Sequence, residues 1–198
     1  MSSRQRNTRE AILQATVEML EAHGGRGVRM GDIAKAAGIS RQAVYLHFAT
    51  RSELLVAATK YLDEVLELER RLAPSRTAGS GAERLALYID FWGNYIPEIY
   101  AVAKALLLAR DSDGAAAAAW KDRMLAMRDG CDAAIEALQA DAMLAPGWTR
   151  DRATDVLWTM LSVPNWENLT AECGWSTQQY VRWMKTLAER TFVGERLD

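Results

Sequence analysis

A chain of 198 residues has room for one or two compact domains and buries a core without disulfide or metal staples. Apolar residues at 49% and charged residues at 25% sit in the ordinary globular range, which excludes a wholly disordered chain. No apolar run approaches ~18 residues, which excludes a membrane-spanning helix. The first residues, Met1-Ser2-Ser3-Arg4-Gln5-Arg6, carry charge with no apolar stretch behind them, unlike a secretory signal. Cys131 and Cys173 make no disulfide framework, so a reducing, cytoplasmic setting is expected. The histidines, His23 and His47, leave little for a metal site or a Ser-His-Asp hydrolase. There is no glycine-rich phosphate loop and no cysteine pair at metal spacing, so neither an enzyme nor a cofactor is expected. The net charge of −2 hides an asymmetry: residues 1–50 carry seven basic and four acidic side chains, +3, and the remainder carries −5. A basic end on an acidic body suggests a polyanion partner for that end.

Helical patterns run through the chain, and no alternating β-branched run marks a strand. Ile12, Leu13, Thr16, Met19 and Leu20 give a helix over about 6–23 one apolar stripe, with Gly24-Gly25 free to end it. Arg4 and Arg6 are read as an arm ahead of it, within reach of a minor groove. Short helices fit 30–37 and 41–47, and a long helix fits 51–72. The stretch 73–81, rich in Pro, Ser, Thr and Gly, reads as a loop between antiparallel helices. A helix over 82–96 is expected to stop at Pro97, leaving 97–110 as a separate segment. After a turn at 111–114, residues 115–142 form a long helix opened by an alanine run. Pro146-Gly147 is another stop, and a helix over 150–172 is expected to kink at Pro164 and close at Cys173-Gly174-Trp175. Ser176 and Gln179 have capping-box spacing ahead of a last helix ending near Val193. The fold class is therefore all-α, with about nine helices. Residues 1–50 form one domain and 51–198 a second, and the helix at 51–72 connects them.

The segment Met30 to Phe48 holds the most specific pattern. Two short helices joined by a glycine-containing turn form a helix-turn-helix. Ala34 is small enough for the helices to cross closely, Gly38 can take positive φ, and Ile39 enters the core. Ser40 caps the second helix, and Val44 and Phe48 anchor it from beneath. Arg41, Gln42, Ala43, Tyr45, Leu46 and His47 are left as candidates for its outer face.

These residues resemble the TetR family of transcriptional regulators over roughly 8–55. The landmarks are Arg9-Glu10-Ala11-Ile12-Leu13, Asp32-Ile33-Ala34, Ala37-Gly38-Ile39-Ser40, Val44-Tyr45-Leu46-His47-Phe48 and Arg51-Ser52-Glu53-Leu54-Leu55. The resemblance implies that helix 41–47 enters the major groove of double-stranded DNA. Arg41 would then pair with guanine and Gln42 with adenine, and Ala43 would touch a thymine methyl. Tyr45 and His47 stand where the family contacts phosphate. Arg51 holds the usual basic position opening the next helix, and Ser40 and Thr50 join the DNA-binding set. Arg29 departs from the pattern, standing where Ser or Thr often caps the preceding helix, and is a phosphate candidate instead. Gly31 replaces a frequent arginine.

The body of the chain looks built to hold a ligand. All seven tryptophans lie beyond residue 90. Leu85, Tyr88, Trp92 and Tyr95 share one helical face, and Trp120, Met124, Met127, Cys131 and Leu138 share another. Aromatics with polar handles and flexible methionines suit an adaptable apolar cavity, though such stripes also serve as ordinary core. By resemblance these helices enclose an effector site lined by Tyr88, Trp92, Tyr95, Trp120, Met124 and Met127. Asp90, Glu98 and Glu167 are carboxylates able to meet a cationic ligand. The last two helices resemble the family's four-helix dimer interface, with Trp158, Leu161, Trp166, Tyr180, Trp183, Met184 and Leu187 as its candidates. The expected function is a homodimeric repressor that binds a palindromic operator and is released by a small, largely hydrophobic or aromatic effector. The alternatives are a DNA-binding or architectural protein with no small-molecule inducer, and a helical binding protein or enzyme with a vestigial DNA-binding end.

Overall fold

The computed structural model describes residues 3–23 and 28–194. Among these, ten α-helices follow one another: α1 (Ser3–His23), α2 (Met30–Ala36), α3 (Arg41–His47), α4 (Arg51–Val65), α5 (Leu68–Arg76), α6 (Gly81–Ala109), α7 (Gly114–Ala140), α8 (Arg150–Met160), α9 (Val163–Glu167) and α10 (Thr177–Phe192). A π-helical turn at Asn168–Glu172 separates the last two. No described residue lies in a strand, and an isolated antiparallel bridge joins Leu144 to Val193. The expected all-α class holds. No described helix is long and apolar enough to cross a membrane.

Contacts divide the chain into two compact units. One is Met1–Leu68 with Ile99–Met124, the other Glu69–Glu98 with Leu125–Asp198. In the first unit, Ile12, Leu13 and Leu20 of α1 pack with Ile33, Val44, Phe48, Leu54 and Leu55, all essentially without exposure. Val102, Ala105 and Leu106 of α6 and Ala115, Ala116 and Ala119 of α7 join that same core. The alanine run that sequence propensity explains therefore also lets α7 lie close. In the second unit, the start of α6 meets the end of α7 backbone to backbone. A Cβ placed on Gly81 would stand 2.5 Å from the carbonyl carbon of Ala137 and from the amide of Leu138. Tyr95, Leu157, Leu161, Tyr180 and Phe192 are among the fully buried side chains here.

Helix boundaries depart from the sequence expectation where a packed backbone overrides periodicity. The helix expected over 51–72 stops at Val65: Leu66 caps α4 and Glu67 takes φ of +55°, left-handed without being glycine. The expected loop at 73–81 is partly helical, because α5 runs on through Pro74 to Arg76. Ser75 secures it by donating from Oγ to the carbonyl of Arg84 at 3.0 Å. Pro97 does not divide α6, which continues unbroken for 29 residues. One lost amide donor is a small part of a ladder that long. Pro164 does not kink a helix either. The chain breaks at Leu161-Ser162, Ser162 caps α9 by accepting from the Asn165 amide, and Pro164 sits in the first turn, where its missing N–H costs nothing. Positions 4 and 6 lie inside α1 and not on an extended arm, since that helix begins at Ser3. The stop expected at Gly24-Gly25 lies outside the described residues. The capping box at Ser176 and Gln179 forms as its spacing predicts.

Candidate nucleic-acid interface

The helix-turn-helix is assembled as its residues require. Ala34 is buried in α2, Gly38 takes φ of +67° in the turn, and Ile39 packs partly buried against the core. Ser40 Oγ accepts from the Ala43 amide at 3.1 Å and fixes the start of α3. Val44 and Phe48 are buried beneath, and the Arg9 guanidinium lies 5.2 Å from the Phe48 ring centroid. The outer face of α3 is thereby left to solvent. Arg41, Gln42, Tyr45 and Leu46 are exposed, while Ala43 and His47 are half-buried. Arg41 leans along its own helix, its guanidinium 5.6 Å from the Tyr45 ring and donating to the Tyr45 hydroxyl at 3.4 Å. So long and exposed a bond is readily exchanged for a base or phosphate.

The flanking candidates divide into two kinds. Ser40 and Thr50 both use their oxygens as caps, Thr50 Oγ1 accepting from the Glu53 amide at 3.1 Å. Each hydroxyl hydrogen remains to be donated to a phosphate. Arg29 precedes α2 with no side-chain cap bond and is exposed, as its departure from the family pattern implies. Arg51 differs. Its Nε donates to the Val28 carbonyl, and its Nη1 donates to both carboxylate oxygens of Asp113 at 2.6 Å. The guanidinium that the family pattern assigns to phosphate is held within the protein. Asp113 also caps α7, accepting from the Ala115 amide at 2.9 Å and the Ala116 amide at 3.3 Å. Burial pushes the Asp113 carboxyl up. The Arg51 hydrogen bonds, the two amides and the Arg51 charge outweigh that and hold it below the usual carboxylate range. Asp113 was not singled out from sequence. An acid immediately before Gly114 and an alanine run is, however, a legible helix cap.

Among the effector candidates, Tyr88, Trp92, Tyr95 and Met127 are buried in the second unit. Tyr88 donates its hydroxyl to the Met127 carbonyl at 3.0 Å, and Trp92 donates Nε1 to the Leu161 carbonyl at 2.7 Å. The polar handles of both rings are therefore committed internally. Phe91 and Tyr95 stack at 5.1 Å between centroids, and Trp92 lies 6.0 Å from Tyr95. Burial pushes the Cys131 thiol up to about 12, so it stays protonated at neutral pH. Trp120 and Met124 are half-buried in the first unit, with the Arg110 guanidinium 5.8 Å from the Trp120 ring. Among the described residues no cluster of His, Cys, Asp and Glu could hold a metal.

Residues 12–58 match the profile of the bacterial regulatory proteins of the tetR family. Across a longer span, the chain is 26% identical over 170 residues to the HTH-type transcriptional regulator CymR of Pseudomonas putida, covering 81% of this chain and 77% of that protein. The match over residues 12–58 places the helix-turn-helix in the TetR family. The fold agrees. A Rhodococcus sp. structure named for the TetR family superposes with a TM-score of 0.74 at 21% identity, covering 93% of this chain and 97% of that one. A Saccharomonospora viridis regulator crystallised with choline does so with a TM-score of 0.74 at 18% identity, covering 96% and 100%.

Beyond the helix-turn-helix, the structure sorts the seven dimer candidates by exposure. Leu161, Tyr180 and Met184 are buried within their own unit and belong to its core. Tyr180, Val181, Met184, Ala188 and Phe192 make the inward stripe of α10. Trp183 and Leu187 stand outside it, with Trp183 47% exposed. Tyr180 and Met184 thus lie on the inward stripe of α10 and Trp183 and Leu187 on the exposed one beside it. Trp158 and Trp166 are half-buried, and Trp158 Nε1 is buried with no acceptor among the described residues. Val156, not singled out from sequence, is an exposed apolar side chain on α8. Leu46, a candidate for the outer face of α3, is 82% exposed.

Proposed function

We propose that this regulator is a cytoplasmic repressor, acting as a homodimer on a palindromic operator and released by a small, largely apolar effector. Residues 1–50 read DNA, and residues 51–198 dimerise and sense the effector. The observation that carries the reading is the division of α3: Val44 and Phe48 lock it into a core while Arg41, Gln42, Tyr45 and Leu46 face outward. A rigid short helix with polar side chains near its N-terminus is the element that enters a major groove. Trp183 and Leu187, with Val156, supply exposed apolar side chains suited to a two-fold partner. The effector reading rests on the buried aromatic cluster of α6 and on the choline-bound relative of like fold. Effector binding would favour a dimer whose recognition helices are wrongly spaced, by no more than its differential affinity for the two states.

The test is selection of genomic fragments on the purified protein at near-physiological salt. An enriched palindrome is expected, and Gln42→Ala should relax discrimination at one base position. Salt-sensitive binding to all sequences without enrichment would refute operator reading. Titration of the selected operator complex with diverse apolar compounds then separates a ligand-responsive repressor from a DNA-binding protein with no inducer.

A further inference from the structure

On α6, Phe91, Tyr95 and Glu98 fall at i, i+4 and i+7 and share one face. The stacked rings of Phe91 and Tyr95 lead to a carboxylate. One cation already sits on this stripe: the guanidinium of Arg71, from α5, lies 5.1 Å from the Tyr95 centroid and 5.8 Å from the Phe91 centroid. Its Nη2 donates to Glu98 Oε1 at 2.7 Å. Two ring faces and a carboxylate converging on one planar charge are the elements by which proteins recognise organic cations. Of the carboxylates near the aromatic faces, Asp90 instead meets Lys185 at 3.4 Å, so Glu98 is the one that shares a cation with rings.

The resident cation can leave. The side chains of Arg71 and Glu98 keep 27% and 41% of their exposure, so the pair is reached from water and Arg71 can rotate outward. Ion pairs this exposed contribute little net stability. The rings are held by their own packing: Phe91 and Tyr95 stack at 5.1 Å, Trp92 lies 6.0 Å from Tyr95, and all three are buried.

We propose that the Phe91–Tyr95–Glu98 stripe is a binding site for an organic cation with an amidinium, guanidinium or quaternary ammonium head, and that Arg71 is a built-in competitor which the ligand displaces. This rests on the effector reading and names its ligand class. The two ring faces take the ligand's charged head and flanking apolar groups, and Glu98 takes its charge.

The full chain is titrated calorimetrically at low salt with benzamidine, cationic at neutral pH, and with benzamide, its neutral near-isostere. Saturable binding of benzamidine and none comparable of benzamide is expected. Arg71→Ala should tighten benzamidine about tenfold by removing the competitor, and adding Glu98→Gln should reverse that gain. Arg71→Met, which keeps the aliphatic stem over the rings, replaces the alanine variant if a melting curve shows that the latter unfolds. Equal affinity for the two compounds, no binding of benzamidine, or Arg71 variants that bind no tighter would each overturn the site. Operator release by neutral compounds with no preference for cations would overturn it and leave the effector reading standing. Absence of release by any compound would sink the effector reading, while calorimetry would still decide the site.

Discussion

Arg51 offers a direct contest between family pattern and geometry. The pattern makes it a phosphate contact; the structure gives its charge to Asp113, with side chains 24% and 23% exposed. Hydrogen bonds to charged groups contribute about 1.5–3 kcal/mol. Discounted for that exposure, a coupling of about 1–2 kcal/mol is expected between the two residues. Asp113→Ala also removes the cap on the Ala115 and Ala116 amides, adding about 1 kcal/mol. A total near 2–3 kcal/mol should lower Tm by roughly 4–12 °C for a chain of this size. Asp113→Asn keeps an acceptor for the cap and should cost only the coupling to Arg51, about 1–2 kcal/mol. The pair is read by a double-mutant cycle of Arg51→Ala with Asp113→Asn in urea unfolding, alongside the salt dependence of DNA binding. Each phosphate neutralised contributes about 0.9 to the slope of log K against log salt. With Arg51 engaged by Asp113, its removal should change the slope by less than half of that per protomer. A full 0.9 loss per protomer with Tm unchanged would refute the reasoning and restore Arg51 to the DNA backbone.

Further outcomes follow from the same geometry. Leu46→Ala should leave thermal stability within about 0.5 kcal/mol, because the side chain packs on nothing, yet alter operator preference at a thymine. Substituting uracil at each thymine of a selected operator checks this: one methyl should matter to the parent and not to the variant. Trp183→Glu with Leu187→Glu should yield a folded monomer by sedimentation, whereas Met184→Ala should cost about 2–5 kcal/mol, since Met184 is core. Gly81→Ala should destabilise by about 3 kcal/mol in chemical unfolding, because its Cβ meets backbone that cannot step aside. Acid should weaken the fold. Hydrogen bonding from Arg150 holds Asp132 below the usual carboxylate range, and Asp113 is held low as well. A depressed carboxylate contributes stability that is present above its unfolded value near 4 and is lost as pH falls through its native one. Tm should therefore drop between about pH 5 and 3, and Asp132→Asn should flatten that drop.

The DNA-binding end was legible because its signals are local. Gly38 for a left-handed turn, Ser40 for a cap, and Val44 and Phe48 for an anchor each act within a few residues. The body was less so. Leu62 and Leu66 continue an apolar period past Val65, and nothing in the residue types announces that Glu67 turns left-handed. Pro97 and Pro164 carry the same local signal with opposite consequences: one is absorbed in mid-helix and the other opens a helix. Which occurs depends on packing partners that lie far along the chain. The Arg51–Asp113 pair spans 62 residues, and the Arg71–Glu98 pair spans 27, so neither has a spacing to read. Exposure likewise separates Trp183 from Met184, which stand side by side on the same helix.

Glu67 and Ala142 both hold φ of +55°, a region that L side chains enter at a cost of about 1–2 kcal/mol each. For the history of this lineage, they are unclaimed reserves. Glycine or asparagine at position 142 would recover stability without disturbing a packed surface or a DNA-facing residue. A descendant carrying such a change could then absorb a destabilising substitution in its effector region that this chain could not survive. Position 142, where the side chain lost is a single methyl, is the one at which drift toward glycine should be found first.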